Sequence, residues 1–193
     1  TAVAWTDFNM PVLSILRHAM ARGRSGGLVT SVALTHSTPA AFVAHNVSRK
    51  AGDAIALEML TNTALRVLMG CGHPGYDDHG AAKDSGFDYT YVGSPAMWNS
   101  RTAGTAGGPN PWSYIASPAQ FDQLAAGASI PNRVCGVARA ISTLQANRPG
   151  NVLADPFAVP PNTNVPSLAT MVRGALNVLN QDSDGFFLVV EGG

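Results

Sequence analysis

Five consecutive apolar residues, Phe186-Phe187-Leu188-Val189-Val190, run straight into Glu191. A strand without polar alternation has no face to offer water, so the pattern predicts a central parallel strand covered on both faces. Parallel strands need long crossover connections, usually helices, and the chain supplies them. Leu13, Leu16 and Met20 recur at helical spacing within residues 12–22, and Gly23 stops the pattern. Leu168, Met171, Val172, Ala175, Leu176 and Leu179 form one apolar stripe, opened by Pro166-Ser167 and closed by the polar run 180–184. Short β-branched or apolar stretches at 27–34, 66–69 and 133–137 complete an alternation of helices and strands. The expected fold is α/β, a mostly parallel central sheet with helices on both faces.

Composition agrees. Apolar residues make up 46% of the 193 residues and charged ones 12%, about half the usual charged share, which suits an extensively buried sheet. The length fits one α/β domain, with residues 75–129 as a loop-rich insertion full of Gly, Asp, Asn and Ser. Residues 147–166 read as a proline-rich surface connection. Lys plus Arg and Asp plus Glu number twelve each, so no net field draws in nucleic acid. No apolar run reaches the roughly 18 residues a membrane span requires. The opening TAVAWTDFN lacks the basic and then apolar layout of a signal peptide. Cys71 and Cys135 allow one bridge, but both end apolar runs where buried free thiols are common, and both readings stay open.

Ligand sites of parallel sheets form beyond the carboxyl ends of strands. Three features fall there: His36 to Thr38, the loop from Cys71 to His79, and Glu191. Thr38-Pro39 is a good helix start, with the threonine as N-cap and the helix running toward Arg49. His36 then reads as a ligand or a structural histidine, and Arg49 as a clamp or a solvated arginine. A carboxylate following five apolar residues is partly buried and needs a cation or donors, and a hard metal such as magnesium meets that need. The loop His73-Pro74-Gly75-Tyr76-Asp77-Asp78-His79-Gly80 matches no strict ligand spacing and reads as a turn. Lys83-Asp84-Ser85-Gly86 reads as a surface turn, and Trp98, Trp112 and Tyr114 as packing of the insertion.

Residues Ser25-Gly26-Gly27-Leu28-Val29-Thr30-Ser31 and Thr35-His36-Ser37-Thr38-Pro39-Ala40-Ala41, continuing to Arg49, closely resemble the alkaline phosphatase family. The stretch from Asp184 to Gly193 resembles the family's strand that delivers a magnesium-binding glutamate. Arg66 to Pro74 and the helix after Pro166 look like the family too, so the resemblance covers most of the chain.

The resemblance implies hydrolysis of phosphate monoesters through a phosphoserine intermediate, with two Zn2+ ions and one Mg2+. A pair of metals about 4 Å apart suits such in-line displacement. Carried over, Thr38 and Glu191 are ligands of the third, magnesium-type metal, with His36 as ligand or neighbour. Arg49 is the catalytic and substrate-binding residue that clamps phosphate, since a planar guanidinium donates two parallel hydrogen bonds. The resemblance also implies a homodimer, periplasmic or secreted. No Asp-Ser-Ala nucleophile motif precedes Thr35, and the family's zinc-ligand segments lie beyond Gly193, so the expectation is an internal piece of a larger enzyme. The alternative is a non-catalytic truncated relative that binds phosphate or a metal. One geometric difficulty stands: an unbroken helix over the eleven residues from Thr38 to Arg49 would hold them about 16 Å apart.

Overall fold

The computed structural model describes residues 3–4, 10–62, 64–146, 148, 150, 153–155 and 158–193. The expected first helix is shorter than its apolar pattern: α1 spans Ile15–Met20, because Ser14 caps it and accepts a hydrogen bond from the Arg17 N–H. The strands are β1 (Ser25–Ala33), β2 (Leu65–Cys71), β3 (Ser113–Ile115), β4 (Val134–Val137) and β5 (Phe186–Glu191). They lie in the order β3-β4-β2-β1-β5, and every pairing is parallel.

Side chains that alternate along these strands feed two cores. On one face Leu28 and Leu68 cluster with Leu16 and Met20 of α1 and with Ile55 and Met59 of α3 (Gly52–Thr61). On the other, Val29, Val67 and Met69 cluster with Met171, Ala175, Val178 and Leu179 of α6 (Leu168–Leu179). Full burial of each such side chain stabilises by about 1.5–3 kcal/mol, so the two layers supply most of the drive to fold. The α/β reading with helices on both faces therefore holds. Helix α6 runs as the sequence predicts, opened by Ser167, whose hydroxyl accepts from the Thr170 N–H.

Three expectations need correction. β5 is parallel and packs on both cores, Phe187 and Val189 on one and Phe186 and Leu188 on the other, but it is an edge strand of the five and not a central one. Val190 is accordingly 46% exposed. Second, the helix after Thr35 does not reach Arg49: α2 spans only Ser37–Ala41, with His36 and not Thr38 at its N-cap. Third, residues 75–129 hold regular structure among their loops: α4 (Pro95–Thr102), strand β3 at the other sheet edge, and α5 (Pro118–Ala125).

Residues 75–129 pack through their aromatics, as expected. Trp112 is buried and donates its indole N–H to the Leu60 carbonyl at 2.9 Å, and Trp98 meets Tyr114 edge to face. Arg133 lies over the Trp112 ring and donates to the carbonyls of Leu65, Asn62 and Asn110. Cys71 and Cys135 are buried free thiols. Parts of 1–9 and of the proline-rich connection at 147–166 lie outside the described residues.

Candidate active site

The register of β1 against β5 sets Thr30 opposite Glu191, so the segment leaving β1 passes beside the end of β5. Thr30, though buried in an apolar strand, is satisfied: its hydroxyl donates to Glu191 Oε2 at 2.6 Å and accepts the Val32 N–H at 3.2 Å. The other carboxylate oxygen, Oε1, stands 3.8 Å from His36 Nδ1. That ring nitrogen is buried and has no hydrogen-bond partner among the described residues. The opposite nitrogen, Nε2, is 3.5 Å from Arg49 Nη2. One imidazole thus separates a mostly buried carboxylate from a guanidinium.

The early stop of α2 makes this juxtaposition possible. After Ala41 the chain turns, burying Val43 and Ala44, and Asn46 exchanges two backbone hydrogen bonds with Val3. Amides committed to those partners cannot continue a helical ladder. Ser48 and Lys50 N–H groups are taken by the side chains of Asn46 and Ser48. Arg49 therefore returns toward His36, and the 16 Å separation that a continuous helix would impose does not arise.

Arg49 opens into a cleft of about 380 Å³ lined also by Thr35, His36, Ser37, Lys50, Gly52, Thr90 and Tyr91. Two cationic side chains and the first residue of α3, whose end presents unpaired N–H groups and positive dipole, make this cleft suited to an anion. Thr90 and Tyr91 come from the 75–129 segment, and the Thr35 hydroxyl donates to the Tyr91 carbonyl at 3.4 Å.

The spacing of two of these groups suits a divalent ion. Two ligand atoms each about 2.1 Å from one ion stand no more than about 4.2 Å apart, and the 3.8 Å between His36 Nδ1 and Glu191 Oε1 lies inside that limit. The unpartnered Nδ1 and the carboxylate fit such an ion. Thr38, by contrast, has an exposed side chain and no hydrogen bond to either residue. No group of three or more His, Cys, Asp or Glu side chains is gathered for a metal among the described residues.

The loop at 73–80 is structural, as its composition suggested. Asp77 accepts from the His79 and Ala81 N–H groups, and Asp78 accepts from the Ser142 and Thr143 N–H groups and the Ser142 hydroxyl. His73 lies edge-on to Tyr76 and Trp98, and burial, helped by the nearby Arg139 charge, lowers its pKa to about 4. Sequence reasoning missed Thr30, Lys50 and Tyr91. Only Thr30 left a signal, a hydroxyl residue that with Ser31 interrupts the apolar run between Leu28-Val29 and Val32-Ala33.

The fold is a parallel α/β sheet with an anion-suited cleft and a carboxylate–imidazole pair beyond its strand ends, where ligands of such sheets bind. The family model of alkaline phosphatase matches residues 1–81 and 147–193, and the chain belongs to that family. It is similar to alkaline phosphatase 4 of Bacillus subtilis (strain 168), 28% identical over 191 residues, which cover 94% of this chain and 32% of the relative. The cold-active alkaline phosphatase of a psychrophilic Shewanella sp. is 28% identical and superposes with a TM-score of 0.65 over 98% of this chain and 37% of its own. A mutant of TAB5 alkaline phosphatase with Mg bound in its M3 site shares the fold at 16% identity and a TM-score of 0.50, over 99% of this chain and 44% of its own. The chain spans about a third of the length of the curated relative it matches.

Proposed function

We propose that the complete protein is a metal-dependent phosphomonoesterase and that this chain supplies its phosphate clamp and part of its third-metal site. Family membership supports phosphomonoesterase function in general. The observation that carries the finer reading is the line from Arg49 through His36 to Glu191, with an unpartnered, buried ring nitrogen facing a carboxylate.

In this reading Arg49 and Lys50 hold the phosphoryl oxygens of a monoester or of inorganic phosphate. A guanidinium binds two of those oxygens while they carry the charge of the transition state. Glu191 and His36 hold a magnesium-type ion; Thr38, whose side chain is exposed, joins them as a further oxygen ligand on the strength of the family alone. Such an ion, when bound, supplies Lewis acidity and lowers the pKa of a coordinated water. Thr30 keeps the Glu191 carboxylate turned toward His36. Attack by a serine through a phosphoserine intermediate, and two zinc ions at the reacting phosphorus, belong to the proposal on the strength of the family alone.

We read residues 1–193 as part of one α/β domain with 75–129 as a loop-rich insertion within it. A homodimer in the periplasm or outside the cell completes the reading. No helix among the described residues is long and apolar enough to cross a membrane.

The test is hydrolysis of p-nitrophenyl phosphate and of bis(p-nitrophenyl) phosphate by the complete protein, before and after chelation. Monoester hydrolysis that is lost on chelation and restored by zinc with magnesium is expected. Activity on the diester alone, or none after metal is returned, contradicts the proposal.

A further inference from the structure

Arg49 sits in a loop whose two ends are tied together by a group remote from the cleft. Glu58, on α3, accepts the backbone N–H of His45 at 2.8 Å through Oε2. Its Oε1 accepts from Arg17 Nη1 of α1 at 3.1 Å and lies 3.2 Å from His45 Nδ1. The far nitrogen of the same imidazole, Nε2, meets the Val12 carbonyl at 3.0 Å, so both ring nitrogens are engaged. The His45 ring is 16% exposed, while the Arg17 and Glu58 side chains are each about a third exposed. Between His45 and the start of α3 at Gly52 lie only Asn46 to Ala51, with Arg49 among them.

We propose that Glu58 is the positioning residue of the Arg49 loop: by closing the segment His45–Gly52 on itself and on α1, it fixes where the guanidinium enters the cleft. The inference rests on the reading of Arg49 as phosphate clamp. The physical argument is entropic. A short loop with its ends pinned has few ways to place its middle, and the alternative of Arg49 swinging free in solvent is open to any exposed arginine not so held. Exposed ion pairs by themselves contribute little stability. A carboxylate that accepts a backbone N–H and an arginine at once is worth more as a geometric constraint on the backbone than as a charge pair.

The experiment is a double-mutant cycle on the dissociation constant of inorganic phosphate in the complete protein, with Glu58→Ala and Glu58→Gln each made in wild-type and Arg49→Ala backgrounds. Displacing a binding group by about 1 Å has large effects, so we expect Glu58→Ala to weaken phosphate binding about tenfold and Glu58→Gln about threefold, since glutamine still accepts one N–H. In the Arg49→Ala background most of each penalty should disappear, because the chief group being positioned is gone and only Lys50 of the same loop remains to be displaced. A purely structural role would leave the same penalty in both backgrounds, and that result overturns the inference, as does wild-type affinity in both Glu58 variants. Should Glu58→Ala not fold, the Glu58→Gln pair decides by the same comparison. If Arg49→Ala alone leaves phosphate binding unchanged, the clamp reading fails and this inference fails with it; if only the cycle is additive, the clamp stands.

Discussion

Thr30 and Glu191 face each other across adjacent parallel strands, and the 2.6 Å bond from the threonine hydroxyl fixes one carboxylate oxygen so that the other is presented to His36. The pairing explains how the buried Thr30 hydroxyl is tolerated in β1, and it couples the sheet register to the site.

Thr30→Val keeps the shape and removes that donor. Leaving a largely buried carboxylate oxygen without its partner should cost about 1–3 kcal/mol in denaturant unfolding. Groups that orient a metal ligand typically affect affinity by about tenfold or more, so magnesium activation should shift to correspondingly higher concentration. A variant with unaltered magnesium dependence would show that Thr30 does not orient Glu191 for metal.

Gly52 begins α3 at the cleft wall, and a Cβ there would lie 2.1 Å from the Thr90 carbonyl oxygen. That contact is with backbone and cannot be relieved by a side-chain rotation. Gly52→Ala should therefore push the Thr90–Tyr91 segment outward, lowering the melting temperature and raising KM more than it lowers kcat. A variant with wild-type melting and kinetics would mean that the close approach does not shape the cleft.

His73 gives a pH dependence with a definite sign. Its folded pKa, about 4, lies below the ordinary 6.5, chiefly through burial. The unfolded chain therefore binds the extra proton first as the solution is acidified. The contribution of His73 to stability is complete above pH 6.5 and declines as pH falls toward 4, with a slope below about 1.4 kcal/mol per pH unit. Comparing His73→Gln with wild type by urea unfolding across that window should show a shallower loss in the variant. Parallel curves would remove His73 from the account.

Much of the architecture was legible because it rests on periodicity. The α6 stripe, β1, β2 and β5 follow from spacing alone, and the alternation of helix and strand implied parallel pairing. What escaped was set by partners distant in sequence. β5 has the composition of a covered strand, yet nothing local reveals how many neighbours lie beside it. The end of α2 depends on Asn46 meeting Val3 and on Glu58 claiming the His45 N–H. Helix α5 was within reach, since Ser117-Pro118-Ala119-Gln120 is a capping box with proline at its first turn, but the surrounding Gly and Asn favoured a loop reading. Helix α3 also left Ile55, Ala56, Met59 and Leu60 at helical spacing.

Of the candidate site residues, the geometry gathers His36, Arg49 and Glu191 and leaves Thr38 with an exposed side chain. The sequence carried the residue types through a family resemblance. The order in which they stand, with His36 between the carboxylate and the guanidinium, depends on the strand register and on the turn after α2.

The most direct test of the central claim is the dissociation constant of inorganic phosphate for the complete protein and its Arg49→Ala and Arg49→Lys variants. A bidentate clamp predicts that alanine weakens binding at least about tenfold and that lysine restores only part of it, because an ammonium cannot match two phosphoryl oxygens at once. Affinity equal to wild type in Arg49→Ala would contradict the assignment of this cleft as the phosphate site.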